Sequence, residues 1–195
     1  MWEMRRLSRA EWDAYMQDVG GEAFFHSLAW VDVLCQGLGV ETELFGVCQD
    51  GVCRYLLPLA VRRAGPLRYG GSPLPTVMTP YQGPLPWSGA PYELPPAAVK
   101  QLLGECARLS GSFCEVAALP QVEIATPSGW QREERVTLMV DVTRSADAVF
   151  AAMEGDCRNQ TRQALQRGAL IDEPTAWGAW FDDYWRLLEE TYGRQ

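Results

Sequence analysis

Three arginines, Arg158, Arg162 and Arg167, fall close together near the end of an otherwise acidic chain. Arg158 and Arg162 stand four residues apart, so on a helix they share one face and can present two planar guanidinium groups to one anion. A phosphate, diphosphate or carboxylate on a substrate would suit that pair. The alternative is an exposed ion pair between Glu154 and Arg158, worth only about 0.3–0.5 kcal/mol. Because Arg162 has Gln166 in place of an acidic partner, both alternatives stay open.

His26 is the single histidine of the chain. It is the one side chain whose ordinary pKa lies near neutrality, which makes it a candidate general base. It stands between Phe25 and Ser27 where a helix is predicted to begin, so a capping or packing role is the alternative. Tyr81 and Gln82 fall in a loop rich in proline and glycine, where binding residues are often placed. A tyrosine in such a loop also packs it down, so both roles stay open for Tyr81.

Composition and charge limit the class of protein. A chain of 195 residues with 47% hydrophobic content can bury a real core and fits one domain, or one domain with part of another. Its formal charge of −8 opposes the general attraction to phosphate backbones that nucleic-acid binding needs. We find no apolar run of about 18 residues and no apolar signal core in "MWEMRRLSRAEW". The sequence therefore predicts a cytoplasmic protein with no membrane span and no nucleic-acid partner.

The cysteines give no sign of a metal site. None of the six has C-x-x-C spacing, and a single histidine argues against a Cys/His zinc site. We expect reduced thiols packed as small apolar residues. If Asp50-Gly51 forms a two-residue hairpin turn, Cys48 and Cys53 lie opposite each other on neighbouring strands, which permits a disulfide that a reducing cytosol disfavours.

Hydrophobic periodicity in the first two thirds of the chain predicts strands mixed with helices. The irregular part, residues 64–96, holds much of the proline and glycine and several aromatic residues. A loop of that size inside a compact domain is either functional or disordered, and its aromatic residues favour an ordered one. In order, the predicted elements are a strand at 2–8, helices capped by Ser8 and Ser27, a hairpin at 41–63, the loop at 64–96, a helix at 95–111 and a strand at 112–119.

The last third predicts a strand, a broken helix and an amphipathic helix. The strand covers 134–143, the helices cover 146–154 and about 157–167, and a short strand follows at 169–174. The final segment carries six apolar side chains on one face. Leaving that face in water would cost several kcal/mol per large ring. We expect it to be covered by the earlier part of the chain, by a second copy of the chain, or by a C-terminal segment missing from this sequence. The six residues are Trp177, Trp180, Phe181, Tyr184, Leu188 and Tyr192.

This order of elements is similar to the GNAT acyltransferase fold, and short motifs resemble FemAB-like transferases, which have two GNAT-like lobes in tandem. The motifs are "FFHSLAW" at 24–30, "PYQGPL" at 80–85, "VTLMVDVTRSADAVFAAMEGDCRNQTRQALQRGALIDE" at 136–173 and "LLEETYGRQ" at 187–195. In the third motif the family's basic residues and asparagine match Arg158, Asn159 and Arg162. The resemblance implies an α/β (α+β) fold with a mixed, mostly antiparallel sheet flanked by helices. It assigns 1–132 to the first lobe and 133–195 to a truncated start of the second.

The resemblance also implies an activity: transfer of an acyl group from acyl-CoA, or a similar carrier, to an amine. The acceptor would be a small molecule or a precursor of the cell envelope such as a peptidoglycan precursor. The expected substrate-binding residues are Arg158, Arg162, Asn159, Tyr81, Gln82 and His26. Positioning and an oxyanion donor suffice for this chemistry, so no covalent nucleophile is expected and no residue is assigned a catalytic role.

The acyl donor is expected on a glycine-rich turn that meets pyrophosphate at a helix N-terminus. The glycine strings "QDVGGE", "RRAGPL" and "LRYGG" lack the strand, turn and helix context that such a site needs. We therefore expect no tightly bound cofactor and an acyl-CoA site outside this chain. The alternative to an enzyme is a non-catalytic binding or assembly module derived from one lobe.

Overall fold

The structure is a computed structural model that describes residues 1–19, 21–75, 77, 79–136, 140–170 and 178–193. The chain divides into two compact units, Met1–Thr137 and Leu138–Gln195. In chain order the elements of the first unit are β1 (Trp2–Arg6), α1 (Arg9–Gln17), a 3-10 helix (Gly21–His26), α2 (Leu28–Leu38), β2 (Glu41–Gln49), β3 (Val52–Ala64), β4 (Leu67–Ser72), β5 (Leu85–Pro86), α3 (Pro96–Ser110) and β6 (Phe113–Val116).

The first unit is a mixed α+β fold built on one open sheet, which confirms the predicted fold class. The strand order is β1-β2-β3-β4-β6, and the short β5 pairs with β3. Neighbouring strands are antiparallel except β4 and β6, which run parallel. A parallel pair needs a crossover connection, and α3 supplies it.

Local sequence signals explain where these elements begin and turn. Ser8 and Glu11 form a capping box at α1, and the Ser27 side chain caps α2. Asp50 and Gly51 both have positive φ, which suits the two-residue turn between β2 and β3. Proline at the first position of α3 leaves no helical hydrogen bond unmade.

Helices cover both faces of the sheet. Ala60 of β3 packs in a small apolar cluster with Leu34 of α2. On the opposite face, a Cβ built at Gly70 of β4 would lie 2.2 Å from Ser110 Oγ of α3. Gly70 pairs with Val61 and therefore shares its face of the sheet. Val61 follows Ala60, and successive residues of a strand face opposite sides of the sheet. Thus α2 and α3 pack on opposite faces of one sheet.

The prediction of an irregular loop from residue 64 onward is wrong over its first part. Residues 67–72 form β4, joined to β3 by a tight turn in which Gly65 has a positive φ. Pro66 therefore lies in the turn and not in the ladder, where it would remove a hydrogen bond. The irregular segment starts only after Ser72.

The second unit contains α4 (Ala146–Ala152), α5 (Gly155–Gln166) and α6 (Ala179–Tyr192). None of its described residues is buried. Residues 134–136 and 140–143 are not in a strand, contrary to the prediction for 134–143, and residues 137–139 lie outside the described residues. Most of the predicted strand at 169–174, and Trp177 of the predicted apolar face, also lie outside them. No described helix has the length and apolar content needed to cross a membrane.

Candidate functional site

Residues 82–83 cover the C-terminal ends of the parallel strands β4 and β6. The backbone N–H groups of Gln82 and Gly83 donate to the carbonyl of Ala117, with N···O distances of 3.2 and 2.7 Å. The Ala117 N–H donates to Ser72 O at 2.9 Å. The Ser72 hydroxyl donates to Gln82 O at 2.6 Å. Residues 82–83 therefore bond to Ser72, the last residue of β4, and to Ala117, the residue after β6, at the strand ends where open α/β sheets usually bind ligands.

A second set of hydrogen bonds joins this segment to the 3-10 helix. His26 Nε2 lies 2.8 Å from Gly83 O. Since a carbonyl oxygen can only accept, Nε2 carries the proton and Nδ1 does not. The side-chain amide of Gln82 donates to Phe25 O at 2.6 Å, and Trp12 Nε1 donates to His26 O at 2.9 Å.

His26 is held in its neutral form. The side chain is completely buried, and this desolvation lowers its pKa to about 4, although the nearby carbonyls of Gly83 and Gln82 act in the opposite direction. An imidazole with so low a pKa is a weak base at neutral pH. Its contacts are those of a packing residue.

Two buried acceptors in this region, His26 Nδ1 and Gln82 Oε1, have no hydrogen-bond partner among the described residues. A ligand group or a water that donates a hydrogen bond would satisfy either atom. A third atom nearby, Thr79 Oγ1, already accepts from Trp30 Nε1 at 3.2 Å.

Aromatic rings line the outer side of the same region. The Phe25 ring packs edge-on against those of Tyr81 and Trp30, with centroids 5.4 Å apart in both pairs. Phe24 lies 5.5 Å from Trp30 and is 59% exposed. We call residues 24–26, 30 and 79–83 the loop site. It brings together the predicted residues His26, Tyr81 and Gln82.

The other predicted residues, Arg158, Asn159 and Arg162, lie together on α5. Arg158 Nη1 donates to the carbonyls of Ala151 and Met153 at the C-terminal end of α4, at 2.8 and 2.5 Å. The Arg162 guanidinium lies 5.4 Å from the centre of the Phe150 ring and bonds Asn159 Oδ1 at 3.4 Å. Both arginines thus contact α4 residues. The Glu154–Arg158 ion pair considered from the sequence is not among the ion pairs of the described residues.

No family model, curated protein or solved structure matches the chain. The resemblance to FemAB-like transferases stays a prediction. The described residues also contain no group of three or more His, Cys, Asp or Glu side chains that could hold a metal ion.

Sequence reasoning missed three residues that build the loop site: Trp12, Ser72 and Ala117. Each acts through a hydrogen bond to a backbone group far away along the chain. No local pattern marks such a partner. The one available signal is the Gln-Gly-Pro sequence at 82–84, because a glycine before a proline indicates a special backbone position.

The contacts of Arg158 predict a structural effect that can be measured in α4. We expect Arg158→Ala to leave the last carbonyls of α4 without their charged donor, at a cost of about 1 kcal/mol. Amide hydrogen exchange over residues 146–153 should quicken about fivefold. Arg167→Ala is the matched control, since the Arg167 side chain has no hydrogen bond or ion pair within the described residues. Equal acceleration in both variants would contradict a specific role for Arg158.

Proposed function

We propose that this chain supplies the acceptor-binding part of a FemAB-like N-acyltransferase. The enzyme would transfer an acyl group from acyl-CoA, or a similar carrier, to an amine of a small or peptidoglycan-precursor-like acceptor. The observation that carries the proposal is the loop site: unpaired buried acceptors beneath an aromatic surface, beyond the C-terminal ends of two parallel strands. The acyl-CoA site lies outside this chain.

The chemistry of the loop site suits an amine. The unpaired atoms His26 Nδ1 and Gln82 Oε1 accept hydrogen bonds, and an amine donates them. The faces of Trp30 and Tyr81 attract a protonated amine through cation–π interaction, which contributes about 0.5–2 kcal/mol. The neutral imidazole of His26 adds no positive charge that would repel such a group.

The backbone of the same region offers little to a pyrophosphate. The N–H groups of Gln82, Gly83 and Ala117 already donate to carbonyls of the chain. Of the glycine strings considered from the sequence, Gly65 lies in a turn between strands, and Gly70 and Gly71 lie inside β4, so none of these three begins a helix, where an anion would meet free N–H groups. In the remaining string, Gly21 begins the 3-10 helix, but a helix, α1, precedes it and not the strand that such a site needs.

Titration calorimetry with two kinds of ligand tests this proposal. We expect no saturable binding of acetyl-CoA or of longer acyl-CoA, and saturable binding of an amine-bearing acceptor such as a lysyl dipeptide. Tyr81→Ala should weaken acceptor binding at least tenfold, which corresponds to about 1.4 kcal/mol. Tyr92→Ala is the control, because Tyr92 is 54% exposed and outside the loop site. Tight acyl-CoA binding, or equal loss in both variants, would refute the assignment.

A non-catalytic binding or assembly module is the second candidate. Two observations favour it: residues 82–83 cover the ends of β4 and β6, and the low pKa of His26 makes this single histidine a weak base. Such a module would bind its partner through the loop site with no acyl transfer. Calorimetry with the amine separates the two candidates. Saturable amine binding that Tyr81→Ala weakens would favour the transferase, whereas a chain that binds no amine-bearing acceptor would favour the module.

A further inference from the structure

Cys48 and Cys53 form a pair of thiols across the β2–β3 hairpin. The two residues are directly opposite in the strand register, in the second pair of the ladder from the Asp50–Gly51 turn. A Cβ built at Gly46 would lie 3.0 Å from Cys53 Sγ and 3.5 Å from Cys48 Sγ, so both sulfurs crowd around one point. Directly opposite residues have Cα separations that fall within the range that a disulfide spans.

Both sulfurs lie within hydrogen-bonding distance of backbone carbonyls of their own strands. The Cys48 thiol donates to Gly46 O at 3.6 Å, and the Cys53 thiol donates to Tyr55 O at 3.5 Å. Burial, together with the neighbouring Cys48 sulfur, raises the pKa of Cys53 to about 12. Since the thiolate is the nucleophile in exchange reactions, a positive charge near the pair would promote oxidation.

Arg5 supplies that charge. It lies on β1 opposite Gly46, and Glu3 lies opposite Cys48, so strand alternation places Arg5 and Cys48 on one face of the sheet. Its guanidinium is paired with Glu11 at 2.7 Å and interacts electrostatically with Cys53, in the direction that favours the thiolate.

We propose that Cys48 and Cys53 are a redox modification site, at which a small-molecule disulfide converts the two thiols into a cross-strand disulfide. One thiolate attacks a sulfur of the small disulfide, which releases one thiolate and leaves a mixed disulfide on the protein. The second cysteine loses its proton, attacks the protein sulfur of the mixed bond and releases the other small thiolate. Two electrons pass from the cysteines to the small disulfide, and the two cysteine protons pass to the two released thiolates, which become thiols.

The crosslink would fix the turn end of the hairpin, where the N-terminal ammonium group of Met1 also pairs with Asp50. Cys157 differs from the pair because it is exposed and on α5. With no opposing cysteine on a neighbouring strand, it should stop at the mixed disulfide. It therefore reports whether the oxidant has acted.

Peptide mapping after treatment with oxidised glutathione tests the proposal. Digestion with trypsin and with a protease that cleaves before aspartate separates 32–49 from 50–54, and Cys53 is the one cysteine of the shorter peptide. We expect a disulfide-linked pair of these peptides, with fragment ions that place the bond on Cys48 and not on Cys35. Glutathione on Cys157 without the linked pair would overturn the proposal.

Two arginine variants test the role assigned to the charge. Arg5→Gln should slow formation of the linked peptides at least threefold. Arg6→Gln is the matched control, because Arg6 is the next residue of β1, points to the other face and pairs with Glu43. Equal rates in the two variants would show that Arg5 does not promote the reaction.

Discussion

Replacing Gly83 by alanine is expected to lower the free energy of unfolding by about 3 kcal/mol. A Cβ built at this position would lie 2.6 Å from Ala117 O and 2.8 Å from Ala118 Cα. Both atoms belong to the backbone, so no side chain can rotate away to make room. Relief requires the segment to lift from the end of β6, which breaks the Gly83 N–H bond to Ala117 O and strains the His26 bond to Gly83 O.

Gly104→Ala is the matched control for this substitution. Gly104 lies inside α3, it is exposed, and a Cβ there would have no atom within 4 Å. Alanine should raise the free energy of unfolding by about 0.5–1 kcal/mol, because it reduces the conformational freedom of the unfolded chain. Urea denaturation of both variants measures the two effects. A loss below 1 kcal/mol for Gly83→Ala would mean that the segment is not seated against Ala117 and Ala118.

The elements with local start signals were predicted well from the sequence. The caps Ser8 and Ser27, the Asp50-Gly51 turn and the proline at the start of α3 each act over a few residues, so the chain near them determines the outcome. Strand β4 was missed because its two glycines are typical of loops. They are in the strand because α3 and the chain after Ser72 approach the backbone there too closely for side chains. That reason lies in tertiary structure.

The loop site was predicted only in part for a similar reason. The types of His26, Tyr81 and Gln82 marked them as candidates, and the structure brings them together. Their partners are backbone groups of residues 25, 83 and 117 and the Ser72 hydroxyl, which no local pattern connects. The burial that lowers the pKa of His26 is likewise a property of the folded chain.

The arginines of α5 show how a local rule can give the wrong neighbour. The four-residue spacing indicated an ion pair between Glu154 and Arg158. In the structure Glu154 is the N-cap residue of α5, and Arg158 reaches back to carbonyls at the end of α4. Helix α4 ends at Ala152, so the last carbonyls of α4 have no partner within the helix. The Arg158 guanidinium gives these carbonyls a charged donor, and this contact replaces the exposed ion pair with Glu154. Whether the pair also binds an anion stays a prediction.

The folded chain is expected to lose about 2 kcal/mol of stability when the pH falls from 7 to 5, because of His26 alone. Its folded pKa is about 4, below the usual value of 6.5, so the unfolded chain binds the proton more tightly. The contribution of neutral His26 is therefore complete above pH 6.5. It is lost as the pH falls from 6.5 toward 4, and does not change further below that. Denaturation in urea at pH 7, 6 and 5 measures this slope.

His26→Gln separates this titration from every other effect of acid. A glutamine amide can donate to Gly83 O as the imidazole does, but it does not titrate, so its free energy of unfolding should be nearly constant between pH 7 and 5. Carboxylates contribute little in this window, since their stabilising ionisation is lost mainly below the unfolded pKa of about 4.5. For Glu11, whose bonds with Arg5 and Ser8 lower the pKa to about 2, the loss extends from there down to about pH 2. A slope that persists in His26→Gln would place the acid sensitivity elsewhere. A flat wild-type curve would mean that the imidazole is accessible to protons in the folded state, and that the loop site opens far more readily than its hydrogen bonds imply.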